Sequence, residues 1–373
     1  MRIKRISLHH FLVILLFFLF STGLGIACLL TPDQTYSSSE RRSLASFPAF
    51  SFETAEGYGE ELEDYFTDQF VLRDSFRRMK VLAASYLFGQ SDVNGYTVQD
   101  GSEYEILYPT QTKLVDRTTA LLSQLCQRYF GKANLYYSVI RDKGFYAEEE
   151  LGLDYDAILA SFAQNLGEEA EWVDFTDCLT LSDFYKTDIH WRQERLLTVS
   201  KRLCEAMGVS AFEEEELTQK NLGAFAGVLY GQAAFPVSKD EMVVLTGEVL
   251  ENCTLSRPTV EKTETTETTE IYDWEAFLTG EDGYDVFLGG EEPLLVIENP
   301  SARTDKKLIL FRDSFARSLA PLLVKDYRQI VLVDLRWIRS SALAYFEDLL
   351  AADEQTDVLF LYSGQVLNSM LYQ

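Results

Sequence analysis

The first apolar run is the longest in the chain. From Phe11 to Leu30 no charge intervenes, and only Ser21, Thr22, Gly23 and Gly25 soften it. About twenty such residues cross the hydrocarbon of a bilayer as a helix. Arg2, Lys4 and Arg5 stand in front of the run, and a basic flank favours a cytoplasmic N-terminus. The lack of an amphipathic face argues against a helix of a soluble core. Residues 1–30 therefore read as a single-pass membrane helix that leaves the remainder of the chain outside the cell membrane. Two other fates share the pattern. One is a cleaved signal peptide and secretion; the other is lipid attachment at Cys28 after Ala27, although Gly25 stands where a larger aliphatic is expected.

Beyond this run the pattern changes to short periodic segments. Residues 31–57 read as a polar connection whose geometry is restricted by Pro32 and Pro48. From Tyr58 to Leu87 the spacing of Leu62, Tyr65, Phe66 and Val71, then Phe76, Met79 and Leu82, is helical and predicts packing on the globular body. Within it, Asp68-Gln69-Phe70 and Arg73-Asp74-Ser75 are read as a helix end tied down by an ion pair rather than as catalytic groups.

Residues 114–129 read as a helix, Ala133–Ile140 as a strand, Tyr155–Asn165 as a helix and Trp172–Phe175 as a short strand. Near the C-terminus, strands at Lys307–Phe311, Ile330–Leu335 and Val358–Tyr362 alternate with helices at Phe315–Val324 and Ser341–Leu350. Near-continuous apolar strands separated by helices predict a parallel sheet covered on both faces, an α/β domain over residues 58–373. A less regular insertion from about 217 to 292 interrupts it. The threonine- and glutamate-rich run Glu261–Glu270 reads as a solvated surface hairpin or loop.

Charge narrows the partners. Against 33 Lys and Arg stand 59 Asp and Glu, a formal net charge of -26. Such a field repels nucleic acid and disfavours an anionic membrane held by a broad basic surface. The five cysteines include no CxxC pair, so metal and thioredoxin-like readings lack support and buried free thiols are expected.

Only three histidines occur, and His9 and His10 belong to the membrane segment, so any histidine-dependent chemistry falls to His190. In extended geometry Asp188 and His190 point to one side, where the carboxylate can orient the imidazole. Asp-x-His is also compatible with a structural hydrogen bond or half of a metal site. Ser314 follows the buried segment Leu308–Asp313 and precedes a predicted helix, where sites in parallel α/β sheets gather and where helix N–H groups favour an oxyanion. It reads either as a helix cap or as a nucleophile with His190 as its base.

Lys143 follows an early strand, Arg336 follows a late one, and Trp191 adjoins His190; each is a candidate substrate contact, with packing or an ion pair as the alternative. There is no Gly-rich phosphate loop, no HExxH and no GxSxG elbow, so no cofactor is expected.

These residues lie in a set of motifs that resembles the DHHW family, related to SGNH-like alginate O-acetyltransferase proteins. The motifs are Ser39-Glu40-Arg41-Arg42 with Leu44 and Pro48; Tyr65–Phe70 with Arg73–Phe76; Asp142-Lys143; Phe184–Trp191; Tyr284–Gly290; Arg312-Asp313-Ser314-Phe315; and Asp334-Leu335-Arg336. The resemblance implies an SGNH-hydrolase-like fold and a triad of Asp188, His190 and Ser314. Arg312 stands where many wider SGNH hydrolases have glycine. It further implies an extracytoplasmic O-acyltransferase that acetylates a cell-envelope or secreted polysaccharide, with a multispanning membrane acyltransferase as acyl donor. A carbohydrate esterase shares the first half-reaction, and a noncatalytic glycan-binding or assembly protein is the reading outside catalysis. A metal enzyme is disfavoured by the single histidine of the globular region.

Overall fold

The computed structural model describes residues 8–50, 57–147, 152–259, 268–280 and 282–369. Contacts divide the chain into two compact units, one running to Gln90 and taking in Ala234–Pro236, the other holding the rest from Ser91.

The first unit begins with α1, Leu8–Leu30, a helix of 23 residues whose 18-residue apolar window has a mean hydropathy of 2.6 and no buried residue, long and apolar enough to cross a membrane. The helical stretch expected from Tyr58 to Leu87 is split into α2, Tyr58–Asp68, and α3, Arg73–Leu82, the latter running on into a π-helical turn at Ala83–Leu87. The break falls at Gln69–Leu72, where Leu72 adopts φ 59°. The ion pair read from the motif is present as a cluster. Arg42 grips both carboxylate oxygens of Asp68, which also accepts the Ala45 N–H at 2.9 Å, while Glu40 receives Arg73 and, at 2.9 Å, Arg77.

The second unit is built on an eight-stranded sheet. In chain order its strands are β1 (Asn134–Ile140), β2 (Ala170–Trp172), β3 (Thr254–Ser256), β4 (Thr269–Glu270), β5 (Leu294–Glu298), β6 (Lys307–Arg312), β7 (Gln329–Val333) and β8 (Thr356–Ser363). Their spatial order is β4-β3-β5-β7-β6-β8-β1-β2. The five strands from β7 to β2 are parallel, as the apolar runs predict, but β5, β3 and β4 join antiparallel. The expectation of a parallel sheet is corrected at this edge, and so is the irregular character of the insertion, which supplies β3 and β4 and a separate hairpin of Thr218–Phe225 with Asp240–Thr246. Of the acidic run, Thr269–Glu270 forms β4, whereas residues 261–267 lie outside the described residues.

Period-two alternation places Leu308 and Leu310 of β6 in one core and Ile309 and Phe311 in the other. The second core is covered by α4 (Thr112–Tyr129) and α5 (Tyr155–Leu166), joined through a 2.8 Å hydrogen bond between the Thr119 and Ser161 hydroxyls. The first is covered by α6 (Leu197–Ala206) and by the turns after β6. Those turns are tighter than the predicted helix: one α-turn, Ala316–Leu319, passes into a 3₁₀ turn with Pro321. Ser340–Phe346 is likewise 3₁₀ before a short α-turn at Glu347–Leu350. The segments after β6 and β7 thus lie on opposite faces, which makes the carboxyl end of β6 the point where the chain switches sides, the place at which sites of such sheets gather.

Candidate active site

Ser314 stands two residues beyond β6, on the turn Asp313-Ser314-Phe315. The buried carboxylate of Asp313 fixes this turn: one oxygen accepts the Phe315 N–H at 3.0 Å and the other the Ser363 N–H at 2.6 Å, at the end of neighbouring β8. The sequence signal for Asp313 was its place beside Ser314; that it ties two strand ends together was not legible there. Because Asp313 takes the Phe315 N–H and the helix that follows is a single turn, the expectation of a free helix N-terminus facing an oxyanion is corrected for this donor.

His190 arrives from another direction. The chain from Phe184 to Trp191 doubles back on itself through an antiparallel bridge, with Tyr185 N–H donating to the His190 carbonyl at 3.1 Å and Arg192 N–H to that of Asp183 at 2.8 Å. Asp240, from the hairpin of the insertion, accepts the Lys186 and Thr187 N–H groups at 2.9 and 2.8 Å and the Thr187 hydroxyl at 2.6 Å. The loop so held presents Asp188 and His190 together. Asp188 Oδ1 lies 2.6 Å from His190 Nδ1 and also accepts the His190 N–H at 3.0 Å; Oδ2 accepts the Val228 N–H at 2.9 Å. The other imidazole nitrogen, Nε2, lies 2.8 Å from Ser314 Oγ. Residues separated by more than a hundred positions thus form one continuous hydrogen-bonded line, with Ser314 and His190 each 6% exposed and Asp188 fully buried.

The surroundings hold the imidazole in plane. Its ring stacks on Tyr284, and Phe315 meets it at a tilt with centroids 4.8 Å apart. Tyr284 donates its hydroxyl to Ser318 Oγ at 2.8 Å, and burial drives its phenol far above the ordinary range, so the ring is neutral. The Arg317 guanidinium covers the ring at 4.9 Å and pairs with Asp285 at 2.6 Å. Tyr284 and Asp285 belonged to a recognised motif, but nothing in their spacing announced a stack against His190.

The three candidate substrate contacts occupy different places. Trp191 is fully buried, and its indole N–H donates to the Phe315 carbonyl at 2.9 Å and to Ser318 Oγ at 3.0 Å. It therefore anchors the His190 loop to the Ser314 turn and offers no face to a sugar. Lys143 is also buried. Its ammonium donates to the carbonyls of Glu103, Tyr185 (2.8 Å), Lys186 (3.2 Å) and Asp188 (3.0 Å), a clamp beneath the loop rather than a hand toward substrate. Burial pulls its pKa down to about 8. Arg336 grips Asp334 at 2.7 Å and reaches Glu291 at 3.3 Å; Asp334 in turn pairs with the buried Arg312 at 3.1 Å. This network seals the end of β7 beside the site.

Among the described residues no group of His, Cys, Asp and Glu is arranged to hold a metal ion, and Cys126, Cys204 and Cys253 are buried free thiols whose pKa values burial raises to about 12.

No family model matches the chain, and no curated protein matches it significantly. Solved structures do. A DHHW family protein from Eubacterium siraeum is similar with a TM-score of 0.60 and 17% identity, over 74% of this chain and 93% of that one. Bacillus cereus PatB1 with a sulfonyl adduct is similar with a TM-score of 0.59 and 18% identity, over 74% and 96%. The O-acetyltransferase domain of Pseudomonas putida AlgJ gives a TM-score of 0.41 at 13% identity, over 74% and 92%. The chain thus shares the α/β fold of the DHHW family protein and of PatB1, in agreement with the relation its motifs imply.

Proposed function

We propose that the protein is a membrane-anchored, extracytoplasmic O-acyltransferase that acylates a hydroxyl of a cell-envelope or secreted glycan. The observation that carries this reading is the unbroken line Asp188–His190–Ser314 at the carboxyl end of β6. The motif resemblance supplies the reaction class, and α1 supplies the anchor.

In this mechanism Asp188 accepts the His190 Nδ1–H, which selects the tautomer whose Nε2 is free to accept. Ser314 Oγ transfers its proton to Nε2 as it attacks the carbonyl of an acyl donor, presented by a multispanning membrane acyltransferase. The tetrahedral intermediate collapses when His190 returns that proton to the leaving group, which departs and leaves an ester on Ser314. A glycan hydroxyl then gives its proton to His190, attacks the ester carbonyl and leaves as the acylated glycan, while His190 reprotonates Ser314. Each half-reaction uses the same imidazole first as base and then as acid, so its position must not change between them.

The test uses the purified full chain, an activated acetyl ester and a panel of glycans, with products followed by mass spectrometry. Acetylated glycan formed by the parent and abolished in Ser314→Ala is the expected result. Asp188→Asn, which reverses the tautomer preference while keeping the shape, is expected to lower the rate by about 10³- to 10⁴-fold. Ser314-dependent release of acetate to water without glycan acetylation would replace the transferase by an esterase. Turnover that survives Ser314→Ala would remove the triad from the reaction.

A further inference from the structure

We infer that the turn between α2 and α3 is a membrane-interface anchor, with Phe70 and Leu72 seated in the lipid at the end of α1. The inference rests on the membrane-anchor part of the proposed function and adds a second, noncovalent contact with the same bilayer.

The length of α1 sets where its C-terminal end lies in a bilayer. Twenty-three residues at about 1.5 Å each span roughly 34 Å, slightly more than the ~30 Å hydrocarbon of a bilayer. The last turn of α1 therefore sits at the interface, and Cys28 belongs to that turn. The Val71 N–H donates to Cys28 Sγ at 3.5 Å. Just beyond α1, Gln34 and Gln69 exchange two hydrogen bonds of 2.9 Å, and Gln69 also donates to the Ala45 carbonyl at 2.8 Å. These contacts, all within the first unit, fix the α2–α3 turn at the height of the last turn of α1.

At that height the chain presents Phe70 and Leu72, 38% and 63% exposed on either side of Val71. Leu72 does so at φ 59°, a conformation that a leucine seldom adopts and that glycine or asparagine would fill with less strain. Leu72 thus holds an apolar side chain at the surface against backbone strain. Phe70, Leu72 and Leu44 share a cavity of about 350 Å³, between the segment after α1 and the turn, with the polar groups of Ser37, Asp68 and Arg73. Apolar and aromatic groups side by side with polar ones suit the boundary between acyl chain and headgroup. The occupant is lipid because the tip is hydrogen-bonded to a helix that is long and apolar enough to cross a membrane and has no buried residue in its apolar window.

The experiment reconstitutes the full chain in vesicles of phosphatidylcholine and of phosphatidylcholine brominated either at shallow or at deep acyl positions. Leu72→Trp and, as a second variant, Phe70→Trp are read against the parent, whose four tryptophans all lie from residue 172 onward. Leu19→Trp, in the middle of α1, reports insertion of the anchor itself. The expected result is added emission that is blue-shifted and quenched severalfold by brominated lipid for both tip variants, with Leu19→Trp quenched by deeper bromines. Tip tryptophans that emit as in water and are quenched by iodide, while Leu19→Trp is buried in lipid, would overturn the inference and leave the anchor standing. An unquenched Leu19→Trp would overturn anchor and tip together. Tip tryptophans shielded in native membranes but exposed in pure lipid would assign the surface to a protein partner and overturn the lipid assignment.

Discussion

The imidazole of His190 lies flat on the phenol ring of Tyr284, with centroids 3.9 Å apart and planes 8° from parallel. Asp188 and Ser314 hold the two nitrogens of the imidazole, but hydrogen bonds along one line leave rotation about that line unopposed. The Tyr284 face removes this freedom, and Phe315 closes part of the other side.

Replacing Tyr284 separates these roles. Tyr284→Phe keeps the stack and loses the bond to Ser318, so transfer should fall less than about tenfold, with stability lowered by roughly 1 kcal/mol. Tyr284→Ala removes the ring and opens a cavity, at a cost of about 3–5 kcal/mol. The rate of acyl-enzyme formation should then fall about 10²-fold, the effect of a misplaced reacting group. Urea unfolding and stopped-flow acylation on the same variants check both figures; equal rates for the two substitutions would show that the stack does not position His190.

A second constraint acts on the carboxylate. A Cβ built on Gly227 would fall 2.3 Å from Asp188 Cβ and 2.4 Å from the Thr187 carbonyl oxygen. The Gly227 N–H donates to Thr187 Oγ1 at 3.0 Å, and Val228 N–H to Asp188 Oδ2, so the backbone here approaches the loop as closely as a missing side chain permits. Gly227→Ala should push Asp188 away from His190, costing about 3 kcal/mol and lowering transfer about 10²-fold. A fully active, stable Gly227→Ala would show that the loop yields freely at Asp188.

How much of this was legible follows from what each residue does. Leu308–Phe311 and Val358–Tyr362 announced themselves because strands buried on both faces are apolar or aromatic at every position. The antiparallel edge did not, because Leu294–Glu298 is equally apolar and its direction is set by how the insertion enters the sheet. Asp188, His190 and Ser314 were legible because few residue types can serve as acid, base and nucleophile and only one globular-region histidine exists. Their support was not: Gly227, Asp240 and Tyr284 lie 39, 52 and 96 positions beyond Asp188, and a glycine that makes room or a tyrosine that stacks has no local signature. Lys143 and Trp191 were visible as unusual residues, but from sequence a buried clamp and a substrate contact look alike.

In the first unit, Asp68 bridges the turn before α2 and the helix itself. Its carboxyl pKa is held below the ordinary value, first by the bond from Arg42 and then by the Ala45 N–H and the charges of Arg42 and Arg73, against the opposing effect of burial. A depressed folded value means that the unfolded chain binds the proton more readily, so this contribution is present above the unfolded pKa and is lost as pH falls through the folded one. Asp68→Asn should remove that acid dependence and speed hydrogen exchange across 58–82, while the amides of β6 and β8 keep their protection. Exchange that is unchanged in α2 and α3 would show that the cluster adds nothing to the unit.

Lys143 joins the loop of Asp188 and His190 to the rest of the site through four backbone carbonyls, more acceptors than its three protons can satisfy singly. Its ordinary value of 10.5 is lowered to about 8 by burial, with the charges of Asp188, Asp240 and Glu103 opposing the shift. Above this value the amine keeps two protons and loses its charge, so its hold on the loop weakens and acyl transfer should decline. Global stability moves the other way. Between the folded and unfolded values the unfolded chain binds more protons, so this group's contribution to the unfolding free energy rises with pH across that window, and its burial cost is fully felt below it. A pH–rate profile for acyl-enzyme formation, paired with urea unfolding at each pH, should therefore show a falling alkaline limb without a matching fall in stability. Lys143→Met takes this donor from the carbonyls of Glu103, Tyr185 and Asp188, while that of Lys186 keeps the Glu103 N–H at 2.8 Å, and should lose at least about 3 kcal/mol. Lys143→Arg, if it retains activity, should carry its charge through the same range and flatten the limb. A limb that persists unchanged in Lys143→Arg would assign the alkaline decline to another group and reduce Lys143 to a structural clamp.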